Sequence, residues 1–162
     1  MKFIVLLYTF LFSFNLAAAE SKDQLFSKMN PKDDPRIKQV KLETSGCFGS
    51  CPIYSIIISA DGTVEYTGTG FVEFKGTRKG VINKWYVEQL FDFVDDVKFF
   101  DFRDKYTTDI TDNATTYTTV TMFNGKTKTV ENYANTAPVR LWALEELISG
   151  FQNKTKWEKV KK

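Results

Sequence analysis

The sequence contains no histidine among its 162 residues. That absence excludes Ser-His-Asp and Cys-His nucleophile pairs, a histidine general base and zinc sites built on imidazole. Net charge is scarce as well. The 22 basic and 20 acidic side chains leave +2, so no field of one sign argues for nucleic acid. Only two cysteines are present. After the first segment there is no apolar run long enough to span a bilayer, which takes about 20 residues. No cofactor and no metal is expected.

The chain has a start that reads as an address. Met1-Lys2 gives a positive tip, Phe3 to Leu16 is almost wholly apolar, and Ala17-Ala18-Ala19 fits a small-x-small cleavage site before Glu20. Residues 1–19 are therefore expected to be a signal peptide, and the mature protein periplasmic or secreted. No cysteine follows the apolar run, which argues against a lipid anchor, and no stable membrane insertion is expected after cleavage. About 140 residues then remain, enough for one core and too few for two.

Export bears on the cysteines. In an oxidising compartment, Cys47 and Cys51 are most simply a disulfide enclosing Phe48-Gly49-Ser50. So small a ring constrains the unfolded chain by only about 2 kcal/mol, making it a local clamp. A redox couple is the rival reading. Catalytic dithiols usually sit at a helix N-terminus, whereas here Pro52 opens a strand-like run. Copper delivery through a C-x3-C-P spacing would need further soft ligands or imidazole, and the sequence offers few.

Periodicity supplies the elements. Residues 20–36 are polar and proline-containing, a flexible lead-in, and residues 37–157 form a single domain with a basic tail at 158–162. Val40 and Leu42 alternate with charged neighbours as in a half-buried strand. Pro52 to Ser59 is a second strand, and Asp61-Gly62 turns it into a third at Thr63 to Gly68. A three-residue loop with left-handed Gly62 sets Tyr54, Ile56, Ile58, Val64 and Tyr66 on one face. Phe71 to Phe74 is predicted to continue this meander.

Asn83 caps a helix to about Asp96, with Val87, Leu90, Phe91 and Val94 as its apolar stripe. A polar loop follows from Arg103 to Thr116. Asn124-Gly125 joins strands Tyr117–Phe123 and Lys126–Tyr133. Thr136 is expected to cap a last helix with Pro138 in its first turn. Its stripe is Leu141, Leu144, Ile148 and Phe151, with Arg140, Glu145, Glu146 and Ser149 facing water. Trp85, Trp142 and Trp157 are expected in the core. The fold class is α+β: a largely antiparallel sheet of five to six strands with two helices on one face.

Two stretches carry a resemblance. Cys47-Phe48-Gly49-Ser50-Cys51-Pro52-Ile53-Tyr54 and Asp61-Gly62-Thr63-Val64-Glu65-Tyr66-Thr67-Gly68 resemble the C-F-G-x-C-P-x-Y and D-G-x-V-x-Y-x-G signatures of a bacterial domain-of-unknown-function family. The resemblance runs from about Ile37 to Trp157. It implies an exported bacterial protein, in many members lipid-anchored, and transfers no catalytic residue.

No catalytic constellation assembles from these residues. Tyr106, Asp109 and Asp112 in the long loop, beside the clamped cysteine loop, are the candidate binding region. Asp109 and Asp112 could also ligate calcium or act as a glycosidase pair, but turn and cap chemistry accounts for them equally. The expectation is a monomeric, non-catalytic envelope module that binds a protein or cell-envelope partner. The alternative is a thiol-disulfide oxidoreductase using Cys47 and Cys51, which a redox potential well above about −300 mV would reveal.

Overall fold

In a computed structural model, residues 36–159 are described. The expected leader and nearly all of the lead-in lie outside them, as do the last three residues of the tail. The elements run β1 (Ile37–Thr44), β2 (Ile53–Ser59), β3 (Thr63–Gly70), β4 (Gly76–Val81), α1 (Lys84–Asp96), β5 (Lys105–Tyr106), β6 (Thr115–Met122), β7 (Thr127–Tyr133), α2 (Val139–Gly150) and β8 (Lys156–Trp157). The strands form one sheet in the order β5-β7-β6-β1-β2-β3-β4-β8. Every neighbouring pair is antiparallel except β5 with β7. The fold is α+β, with eight strands where five to six were expected.

The extra strands have a physical reason for escaping notice. β5 and β8 have two residues each, too short to show any period. β4 reads Gly-Thr-Arg-Lys-Gly-Val and has no apolar alternation. The expected strand at Phe71 to Phe74 is instead a bend, with Phe71 at φ 51°.

The β2–β3 register follows the three-residue loop. Ile58 lies opposite Val64 and Ile56 opposite Tyr66, and all four side chains are buried. Gly62 sits at φ 89° while the Asp61 carboxylate accepts from the Thr63 N–H at 2.8 Å. The β6–β7 hairpin repeats this device: Gly125 is at φ 88° and Asn124 Oδ1 accepts from the Lys126 N–H at 2.9 Å.

One face of the sheet is buried. Val40, Leu42, Ile56, Ile58, Val64, Tyr66, Val120 and Val130 join Val87, Leu90 and Val94 of α1 and Leu141, Leu144 and Ile148 of α2 in a single core. The other face is polar and carries Thr67 against Thr77, Thr119 against Thr129, and the ion pairs Lys79–Glu65 and Lys105–Glu131.

Asn83 caps α1 as expected, its side chain accepting from the Trp85 N–H at 2.9 Å. At α2 the expected cap is corrected. Pro138 takes the N-cap position without a side-chain bond, and the Thr136 hydroxyl donates to the Tyr133 carbonyl instead. Two tryptophans also depart from expectation. Trp85 and Trp142 are exposed on α1 and α2, while half-buried Trp157 lies under the Arg78 guanidinium at 3.9 Å.

Candidate functional site

The largest departure from the sequence reading is Glu145. Expected to face water, it is 5% exposed. Where α2 crosses the sheet, β6 and β7 present polar groups in place of hydrocarbon. Asn132 Nδ2 donates to Glu145 Oε2 at 2.7 Å, and Thr118 Oγ1 donates to Oε1 at 3.3 Å. Asn132 Oδ1 in turn accepts from the Ala137 N–H at 3.0 Å, so the amide is used at both ends. Thr118, Asn132 and Glu145 are the buried polar and charged side chains among the described residues, and they form one hydrogen-bonded cluster.

Burial pushes the Glu145 carboxyl up from 4.5 to about 7. The bonds from Asn132 and Thr118 oppose that rise, and the neighbouring Glu146 charge adds to it.

Glu145 forms part of the wall of a cavity of about 370 Å³. Leu42 and Thr44 of β1, Tyr54 of β2 and Thr116 of β6 line it on the sheet side. Trp142, Glu146 and Ser149 line it from α2, and Cys51-Pro52, Asn113-Ala114 and Ala134-Asn135 close the rim. The size lies within the range of small-molecule sites.

Tyr54 spans the cavity edge. Its hydroxyl lies 2.8 Å from Ser149 Oγ and its ring stacks on Tyr66 with centroids 5.6 Å apart. Burial raises the Tyr54 pKa, the Ser149 bond works against it, and Glu146 and Glu145 add to the rise. Replacing Tyr54 with Phe should cost about 1 kcal/mol in denaturant unfolding by stranding Ser149. An unchanged midpoint would mean that water replaces the hydroxyl.

The rim is held by unusual backbone. Of the five non-glycine residues at positive φ among the described residues, Ala134 and Asn135 at 54° line the cavity. A third, Asp112 at 67°, precedes the lining residue Asn113. Such conformations cost about 1–3 kcal/mol each and collect at binding and catalytic sites. Neighbouring segments hold them in place: the Ala134 N–H donates to the Ala114 carbonyl at 3.0 Å.

Cys47 and Cys51 are bonded, with Cα atoms 5.6 Å apart. The disulfide places Cys51 and Pro52 in the cavity wall and leaves Phe48 90% exposed at the loop tip. No helix follows the pair; β2 does.

The clamped loop and the long loop meet. The Phe48 N–H donates to the Asp112 carbonyl at 3.2 Å, and the Ser45 N–H to the Thr115 carbonyl at 2.9 Å. Asp109 and Asp112 are exposed on this loop, with the Asp112 carboxylate accepting from the Thr111 hydroxyl at 3.0 Å. Tyr106 is elsewhere. It is buried in β5 against Phe102, and its hydroxyl accepts from the Arg103 N–H at 3.2 Å.

Sequence reasoning missed Glu145, Asn132, Thr118, Tyr54 and Ser149 as site residues. One signal was present: Glu145 lies four residues after Leu141 and three before Ile148, within the apolar stripe.

Residues 38–152 match a domain of unknown function, DUF6438. The chain belongs to this family. The match includes every residue lining the cavity of this DUF6438 domain, from Leu42 to Ser149, and leaves out β8. No curated protein matches the chain. Among the described residues of the DUF6438 domain, no helix is long and apolar enough to cross a membrane. No group of three or more His, Cys, Asp or Glu side chains placed to hold a metal ion occurs among them either.

Proposed function

We propose that this DUF6438 domain is an exported binding module of the bacterial envelope and that the cavity beside the disulfide is where it takes its partner. The carrying observation is that the buried polar cluster of Thr118, Asn132 and Glu145 meets the solvent-open cavity that Glu145 lines. A carboxylate left in an apolar core costs several kcal/mol, and folding alone would favour a leucine at that helix position. The strained rim residues Ala134 and Asn135 point the same way.

In this reading Cys47–Cys51 fixes one wall of the cavity and the loop carrying Asp109 and Asp112 flanks its mouth. The bond is a clamp, and no thiol chemistry is needed. The leader at residues 1–19 delivers the chain to the compartment where that bond forms.

The test has two readouts. Mass spectrometry of protein recovered from the periplasm of cells expressing the full chain should show Glu20 as the first residue. That protein, immobilised, should retain components of an envelope extract that the Asn113→Trp variant, plugged at the exposed rim, does not. Cytoplasmic protein that keeps its leader would defeat the export half. Equal retention by both forms would defeat the cavity half.

A further inference from the structure

The lining of the cavity restricts what it can hold. Its only charged members are Glu145 and Glu146, and no lysine or arginine of the described chain reaches it. The ion pairs of the described residues lie elsewhere, at Lys41–Glu43, Lys79–Glu65, Lys84–Glu88, Lys105–Glu131 and Lys128–Asp104. Among the described residues neither cavity glutamate is in an ion pair, although Lys154 lines a separate groove that Glu146 also borders.

The rest of the wall suits a cation too. Trp142, 43% exposed, offers an indole face, the side chain with the strongest pull on a cation. Tyr54, Ser149, Asn113 and Asn135 supply hydroxyl and amide oxygens that accept from N–H groups. An anion would meet two carboxylates and no counter-charge. No group of three or more His, Cys, Asp or Glu side chains that could hold a metal ion occurs among the described residues.

Resting on the reading of the cavity as the binding site, we infer that it takes a protonated primary amine of lysine type, its ammonium between Glu145 and Glu146 and its methylene stem along Trp142.

The Glu145 carboxyl, held near 7 by burial, must be ionised to pair with an ammonium. Tyr54 from β2 and Glu146 on its own helix are the other titratable groups lining the cavity, while β6 and β7 present Thr118 and Asn132 to the carboxyl. Neither Tyr54 nor the lysine ammonium loses its charge state between pH 6 and pH 8, their ordinary values lying near 10. Binding should therefore release a proton from Glu145 and tighten as pH rises.

Isothermal titration of the exported protein with Nα-acetyl-lysine methylamide, its Nε-acetylated form and cadaverine tests the inference. The ammonium probes should bind, about tenfold tighter at pH 8 than at pH 6, with heats that vary with the buffer's ionisation enthalpy. The Nε-acetylated probe should bind at least about tenfold more weakly. Glu145→Gln should weaken binding about tenfold and flatten its pH dependence. Glu146→Gln, at an exposed position that cannot upset the fold, should weaken it several-fold.

Tighter binding of the capped lysine than of cadaverine assigns the amine to a peptide side chain, and the reverse assigns it to a free polyamine. Equal binding of the acetylated probe, or indifference to both substitutions, overturns the inference. If envelope components are still retained in an Asn113-sensitive way, the binding-module reading survives that failure. If nothing is retained, both fall.

Discussion

Glu145→Gln is expected to stabilise the protein above pH 7 and to leave it unchanged near pH 4. The folded-state pKa of Glu145, about 7, lies above the ordinary 4.5, so the fold prefers the protonated carboxyl. Stability is therefore complete below about 4.5 and is lost as pH rises through 7. The interval between the two values corresponds to a loss of about 3 kcal/mol at pH 8.

Glutamine mimics the protonated acid. It keeps an acceptor for Asn132 and can donate to Thr118 Oγ1, so both bonds survive without the charge. Thermal unfolding at pH 8 should show a midpoint at least about 5 °C above that of the natural chain, with the gap closing by pH 4–5. A difference that does not change between pH 5 and pH 8 would show that the carboxylate stays ionised in the fold. A bound ammonium should stabilise the natural chain at pH 8 by about 1.4 kcal/mol more than it stabilises the glutamine variant, the equivalent of the tenfold difference in affinity. The carboxylate thus lowers the stability of the empty protein and is recovered when the cavity fills.

Gly68→Ala is expected to be the most damaging small substitution on the sheet. A Cβ at Gly68 would collide with the Phe74 carbonyl oxygen and approach Val72 Cγ2 at 2.8 Å and Tyr66 Cε1 at 3.0 Å. The carbonyl is backbone, so relief requires moving the whole bend from Phe71 to Phe74, with Phe74 detached from Tyr66. We expect a loss of about 3 kcal/mol or more in urea unfolding with the slope unchanged. A loss under about 1 kcal/mol would mean that the bend yields freely.

The position also explains a motif. In Asp61-Gly62-Thr63-Val64-Glu65-Tyr66-Thr67-Gly68, Asp61 caps the turn, Gly62 takes the left-handed conformation, Val64 and Tyr66 fill the core, and Gly68 leaves room for the bend. Each named residue of the signature has a folding reason, and no catalytic role is needed to account for it.

What the sequence reveals and what it conceals divide along physical lines. The β2–β3 register is legible because a turn signal and a strict period agree, and α1 because Asn83 and four apolar residues mark one face. β4 is concealed because its inward positions are taken by Arg78 and Gly80, which carry no apolar signal. The site is concealed for a related reason. Val130 and Asn132 share a strand face, as do Thr118 and Val120, so period two brings the polar pair inward with the apolar one. Glu145 sits in the α2 stripe by spacing, and its charge alone argued for solvent. Here the periodicity was the better guide.

The two shortest strands have a consequence for how the molecule behaves in company. An open antiparallel sheet ends in rows of unsatisfied amides and carbonyls that invite a neighbour to add on. Here the outermost strands, β5 and β8, are two residues long, and Lys105 and Lys156 stand on them. β5 covers only Glu131 and Asn132 of β7, and β8 only Gly80 and Val81 of β4, so among the described residues Thr127–Val130 and Gly76–Arg78 have no strand on their outer side. Those two stretches are the borders where a neighbouring strand can add to the sheet, and lengthening β5 along β7 or β8 along β4 would close them.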